Sequence, residues 1–263
     1  MNSQKTTSEL HYNSNKGEFV GKYQEARKTL DYSYFSNFTP ERQLWQDSVI
    51  RQYLEKREST SSNSISKSDS RRKATAIYTS GVFGAGKGHV LRWLGSTGQI
   101  KLSDYVWIDP DRIRHQLPEM DAFIEQDRKQ NRCLAGNRSH LEATFLSLLL
   151  ETICLQRGYS MIVDGSLQNY DWYSNWFQIV QNKYGYTITL MQVQCSFELA
   201  VQRCYRRGME TGRALSFEHL VEVYHKSQQS FEQLQKRVPL SIVIDNNNTI
   251  PVIKRMFIST TAP

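Results

Sequence analysis

The sequence predicts an α/β fold, a mostly parallel sheet of five to six strands covered by helices on both faces, with a helical extension in front of it. Three observations carry this. After residue 73, short apolar, β-branched stretches alternate with helical patterns, which requires crossover connections. Several of these stretches end in Asp or Gly, as strands running into turns do. The first of them runs straight into the glycine-rich turn Gly81–Gly88 and a helix.

Residues 1–37 are polar with scattered aromatics and read as loosely ordered or docked onto something larger. Thr39-Pro40-Glu41 is a helix start: a cap, a residue suited to the first turn, and an acid at the positive end of the dipole. Leu44, Trp45, Val49, Ile50, Tyr53 and Leu54 then recur at helical spacing, and the helix is expected to fade near Glu58. Residues 59–73 are Ser-rich and charged, a flexible linker. The expected organisation is therefore an extension over 1–58, a linker over 59–73 and one α/β domain over 74–263. Strands are expected at Ala74–Ser80, Tyr105–Asp109, Tyr159–Asp164, Thr187–Cys195 and Ser241–Asp245, with helices over 86–97, 137–157, 170–184, 196–208 and 216–236.

Composition narrows the function classes. The 14 Tyr, 11 Phe and 5 Trp argue against a disordered chain. Subtracting 26 acids from 33 bases leaves +7, which suits an anionic ligand without requiring nucleic acid. Cys133, Cys154, Cys195 and Cys204 form no CxxC pair and no zinc spacing. The N-terminus has no signal-peptide pattern, and the apolar stretch Leu141–Leu155 is too short for a bilayer and holds Glu142 and Glu151. These features read as a cytoplasmic protein with reduced thiols and no membrane partner.

Gly81-Val82-Phe83-Gly84-Ala85-Gly86-Lys87-Gly88 has the Gly-x4-Gly-Lys spacing of a phosphate-binding loop between a strand and a helix. Glycines let successive N–H groups curl around a polyphosphate, the helix adds its positive end, and Lys87 reaches the outer phosphates. Gly81, Gly84, Ala85, Gly86, Lys87, Gly88 and His89 are the candidate nucleotide contacts. Gly88 stands where a Ser or Thr hydroxyl would bind Mg²⁺, so the ion would be held by water, phosphate oxygens and a carboxylate, or metal-dependent turnover would be reduced.

The second strand closes on Asp109-Pro110-Asp111. A carboxylate there can take the proton of an attacking hydroxyl, or it can simply cap the next helix. Asp164-Gly165-Ser166 ends the third strand, where a carboxylate commonly orients Mg²⁺ or its waters, although Asp-Gly is also ordinary turn chemistry. Arg203, Arg206 and Arg207 lie on one helix, followed by Gly208, Gly212 and Arg213, which suits a phosphate-clamping lid. In Asn137–Ala143, Asn137 or Ser139 caps a helix with Glu142 at capping-box spacing; the alternative sets His140 or Glu142 over an acceptor.

In this order, GVFGAGKG, IDPDRIRHQLPEM, NRSHLEATF, VDGSLQN and QRCYRRGMETGRAL resemble the zeta-toxin family of P-loop kinases over roughly residues 74–246. The resemblance implies a P-loop NTPase-type three-layer α/β/α domain that moves the γ-phosphate of ATP, or GTP, onto a hydroxyl of a small molecule with Mg²⁺. Its best-known members phosphorylate UDP-N-acetylglucosamine. It makes Lys87 the phosphate holder and Asp111 the base, with Asp109 beside it. Glu142 becomes an acceptor contact, and Asp164 and Ser166 the acidic-Gly-hydroxyl stretch near nucleotide and metal. Arg203 or Arg206, with Arg213, becomes the phosphate clamp. It also raises an antitoxin-like partner, or residues 39–57 acting in cis as a self-regulating helix. The alternatives are a nucleotide-binding module with little or no turnover and a dinucleotide or polynucleotide kinase; no aromatic-and-basic stripe favours nucleic acid.

Overall fold

The computed structural model describes residues 17–61, 73–130, 135–211 and 215–259. Its sheet has six strands: β1 Thr75–Ser80, β2 Val106–Ile108, β3 Met161–Val163, β4 Thr187–Gln194, β5 Leu240–Asp245 and β6 Val252–Ile258, in spatial order β2-β3-β1-β4-β5-β6. The pairs from β2 to β5 are all parallel. β6 returns antiparallel to β5, with a register shift between Val243 and Ile244.

Alternation along each strand feeds two cores, one per face. Ala76, Tyr78, Ile108, Met161, Ile188 and Leu190 point to one side. There they meet α7 (His140–Arg157), α8 (Tyr170–Gln178) and the C-terminal half of α10 (Phe217–Leu234). Ile77, Ile162, Met191, Val193 and Ile244 point to the other. These pack on α3 (Lys87–Ser96), the start of α9 (Phe197–Thr211) and the N-terminal half of α10. Helices thus cover both faces of a mostly parallel sheet, the three-layer arrangement of P-loop kinases. No helix among the described residues is long and apolar enough to cross a membrane.

The expected strands all form, most of them a residue or two shorter at their ends. β6 is the addition. All seven of its residues are exposed, so burial imposed no readable alternation on it. The expected helix over 137–157 starts differently too. Ser139 precedes α7 but makes no side-chain cap bond; its hydroxyl turns back to Ala135 O at 2.7 Å. The capping-box reading of Ser139 and Glu142 is therefore corrected, because Glu142 is drawn elsewhere.

Of the N-terminal residues, 1–16 lie outside the described residues, and those from 17 on are docked. α1 (Gln24–Lys28) buries Arg27 completely, its Nη1 on Asp47 Oδ1 at 2.6 Å and its Nη2 on Gln43 O at 2.9 Å. Phe35 and Phe38 pack against Phe145 of α7 at ring separations of 5.4 and 4.9 Å. α2 (Pro40–Ser61) begins where Thr39-Pro40 places it and lies along β2. Leu44, expected inside, is exposed, while Ile50 and Leu54 are buried. The helix runs three residues past Glu58, and residues 62–72 of the expected linker lie outside the described residues.

Three further helices stand between β2 and α7: α4 (Pro110–Arg114), α5 (Met120–Lys129) and the short α6 (Ala135–Arg138). Both sheet edges are therefore distinct, β2 shielded by α2 and β6 open.

Candidate active site

Gly81–Gly86 leaves β1 between the carboxyl ends of β3 and β4, where ligands of such sheets bind. Gly81 N donates to Ser166 O at 3.4 Å. The glycines are required by crowding. A Cβ on Gly84 (φ +85°) would stand 2.2 Å from Ala200 O, and one on Gly86 (φ +86°) 2.2 Å from Asn246 Nδ2. A chain this closely backed presents its amides outward, the concave surface a polyphosphate needs. Gly86 precedes α3 in a left-handed conformation, so Lys87 is the first helical residue. Lys87 Nζ donates to Gly81 O (3.1 Å) and Val82 O (3.4 Å), lying across the mouth of its own loop.

Asn246 is a residue that the sequence reading missed. It is buried just past β5, and its Nδ2 donates to Ala85 O at 2.8 Å, pinning the loop from behind. Arg203 Nη2 donates to Asn246 O at 3.1 Å, so α9, the loop and β5 meet there. His89 faces the same loop after β5, its Nε2 3.4 Å from Thr249 O. A cleft of about 330 Å³ opens beside Gly81 and Val82 towards Cys195, Tyr224 and Asn247.

Asp109 caps α4: its Oδ1 accepts from Asp111 N (2.9 Å) and Arg112 N (3.4 Å). That cap sets Asp111 in the first turn with its carboxylate held from two sides. Arg114 Nη1 donates to Oδ1 at 3.1 Å, and Arg207 Nη2 of α9 donates to Oδ2 at 2.5 Å. Burial pulls the Arg207 pKa down, but the Asp111 charge and hydrogen bond outweigh it and leave Arg207 firmly protonated.

Asp164 follows β3, and its Oδ1 accepts from Thr79 Oγ1 at 2.9 Å. Burial pushes its pKa up to about 6; Lys87 works against that shift, while Asp109 and Asp111 add to it. The loop lysine and both α4 carboxylates are thus in electrostatic reach of one side chain. Ser166 touches the loop through its carbonyl. Leu167 follows it at φ +59°, a left-handed backbone costly for a branched residue and held here at the rim of the site.

Three expectations need adjusting. Arg206 is exposed on α9, and the contacts to Asn246 and Asp111 come instead from Arg203 and Arg207, one turn apart. Gly208, expected as a lid hinge, lies inside α9. Gly212 and Arg213 lie outside the described residues. Glu142 is fully buried and engaged by α2: Arg42 Nε and Gln46 Nε2 donate to Oε1, both at 2.8 Å, and Arg42 Nη2 to Oε2 at 2.9 Å. Arg42 also forks onto Glu119, with both bonds at 2.9 Å.

A glycine cradle, a lysine at its mouth, carboxylates at two neighbouring strand ends and arginines from a later helix define a P-loop kinase. The sequence matches the zeta toxin family over residues 59–256, and the chain belongs to that family. Family and fold together support a nucleotide-dependent phosphotransferase. Among solved structures, the chain is similar to one from the PezAT chromosomal toxin–antitoxin system of Streptococcus pneumoniae. That match has 19% identity and a TM-score of 0.59, covering 80% of this chain and 81% of the other. It is also similar to an AvrRxo1-ORF1:-ORF2 structure with ATP (14% identity, TM-score 0.61, 96% of this chain and 76% of the other). A third likeness is to AvrRxo1-ORF1:AvrRxo1-ORF2 with sulphate ions (14% identity, TM-score 0.60, 97% and 79%). No curated protein sequence matches the chain.

Proposed function

We propose that the protein transfers the γ-phosphate of ATP to a hydroxyl of a small molecule. The observation that carries this reading is the glycine cradle with Lys87 across its mouth, set at the strand ends with Asp164 bonded to Thr79 and Asp111 bonded to Arg207. The donor's phosphates lie in the amide cradle against Lys87, and Arg203 approaches from α9. The acceptor hydroxyl attacks the γ-phosphorus. Its proton passes to the Asp111 carboxylate, the bond from phosphorus to the β–γ bridging oxygen breaks, and ADP leaves. Arg207 and Arg114 hold the Asp111 carboxylate in one orientation.

Magnesium fits this site through water. Gly88 supplies no oxygen, and no cluster of three metal-binding side chains stands among the described residues. Asp164, oriented by Thr79 beside Lys87, is the side chain that would hold the ion's water shell, since Mg²⁺ keeps several waters and needs few protein ligands. Bound there, the ion would offset charge on the phosphates.

Family membership puts a nucleotide sugar such as UDP-N-acetylglucosamine first among acceptors. Glu142 would act on it indirectly, by fixing Arg42 and the α2 wall. The PezAT and AvrRxo1-ORF1:-ORF2 likenesses support an antitoxin-like partner, and α2 already occupies one wall of the domain in cis. The test incubates the full chain and its Lys87→Ala variant with labelled ATP and a panel of nucleotide sugars, nucleosides, dinucleotides and oligonucleotides. A phosphorylated product dependent on Lys87 is expected. ATP binding with no product from any member of the panel would overturn the kinase reading in favour of a binding module.

A further inference from the structure

A second groove, of about 620 Å³, lies between α2 and the β2 edge, walled on one side by α4. Tyr53 and Lys56 of α2 form one wall; Tyr105 and Trp107 form the floor; Arg112 and His115 of α4 form the other wall. Its volume falls in the range of small-molecule sites, roughly 300–1,000 Å³. We propose that this groove binds a nucleoside 5′-phosphate at a site separate from the phosphate loop.

Three features select that chemistry. Tyr53, Tyr105 and Trp107 offer ring faces on which a base stacks regardless of its identity. The charged side chains lining the groove are all basic, so the surface attracts an anion and disfavours a cation. The Trp107 indole N–H is buried and has no acceptor, while the Arg112 guanidinium lies 5.5 Å over the same ring. The exposed Arg112 guanidinium offers an anion in the groove a planar donor beside that ring. None of Gly81–Lys87 lines the groove. The phosphate-loop helix meets the groove's lining at Gly88, where a Cβ would stand 3.9 Å from the Trp107 ring, and at Gly95, where one would stand 2.6 Å from Leu102 Cδ1.

Two consequences follow from its walls. An occupant ties α2 to α4, and α4 also carries Asp109 and Asp111, so occupancy steadies the residues proposed for catalysis. The groove does not depend on the kinase reading, because its test is made with the loop disabled.

The full-length Lys87→Ala chain is titrated with UMP, AMP, uridine and inorganic phosphate by calorimetry and tryptophan fluorescence. One-to-one binding of UMP and AMP is expected. Uridine and phosphate alone should bind at least about tenfold more weakly, because each lacks half of the contacts. Adding Trp107→Phe or Arg112→Ala should weaken UMP about tenfold at an unchanged melting temperature. His115→Ala, at an exposed position, carries the same expectation should Arg112→Ala melt early. The proposal is overturned by no binding, by equal binding of phosphate alone, or by UMP affinity indifferent to Trp107, Arg112 and His115.

Discussion

Arg207 of α9 donates to Asp111 of α4 at 2.5 Å, across 96 residues of sequence. The bond joins the helix after β4 to the carboxylate after β2. Arg207 and Arg114 together fix the orientation of that carboxylate, as a general base requires.

Asp111→Asn should therefore lower turnover about 10²–10⁴-fold, the usual worth of a general base. ATP affinity should change little, since the bonds that hold Asp111 come from α9 and from its own helix. Steady-state kinetics beside calorimetry separates the two. Wild-type turnover in this variant removes Asp111 from the mechanism.

Gly88 can accept a side chain. A Cβ there meets Arg92 Nη1 at 3.5 Å and the Trp107 ring at 3.9 Å, both ordinary contacts. Gly88→Ser should leave the fold as stable or raise it by roughly 0.5 kcal/mol through helix propensity. It should also lower the Mg²⁺ concentration needed for half-maximal turnover. An unchanged Mg²⁺ titration would place the ion away from this helix end.

Arg42 neutralises two buried or nearly buried carboxylates, Glu119 and Glu142. Arg42→Ala leaves both uncompensated and should cost about 3–5 kcal/mol in urea unfolding. Arg42→Ala combined with Glu142→Gln should recover part of that loss. Equal stability of the single and double variants would show that the pair is not coupled.

Glu151 is buried against Tyr78, with which it shares a short hydrogen bond, and against Trp176 at 2.5 Å. Burial lifts its pKa to about 7, only partly opposed by those two donors. A carboxyl whose folded pKa exceeds its ordinary value of 4.5 favours folding below that value and loses the benefit as pH climbs to about 7. Wild-type unfolding free energy should fall relative to Glu151→Gln by up to roughly 3 kcal/mol between pH 4.5 and 7.5. Parallel curves for the two proteins would rule out Glu151 as the titrating group.

Much of this fold is written in local pattern. β1, β3 and β4 are apolar runs buried on both faces and closed by a turn or an Asp, and the phosphate loop follows β1 in a spacing that few other structures need. β6 has no such pattern, because Val252, Met256 and Ile258 stay exposed and nothing selects an inward face. The site was legible where one residue type has one use, as at Lys87, and where strands end, as at Asp109, Asp111 and Asp164. Helical phase does not separate Arg207 from Arg206, since both neighbour Arg203 on the helix; the folded position of Asp111 does. Asn246, inside an Asn-Asn-Asn run, gave no local signal, and the union of Arg42 with Glu119 and Glu142 exists only after the chain has folded.

The stretch matched by the zeta toxin family begins at residue 59, but Tyr23, Ala26, Leu30, Phe35, Phe38, Ile50 and Leu54 share one core with β1 and α7. An expression fragment trimmed to the family's outline would strip Phe145 of its aromatic cover and expose the flank of β2. Such a trimmed polypeptide is expected to precipitate, so residues 17–58 are as much a part of the domain's body as the loop that defines it.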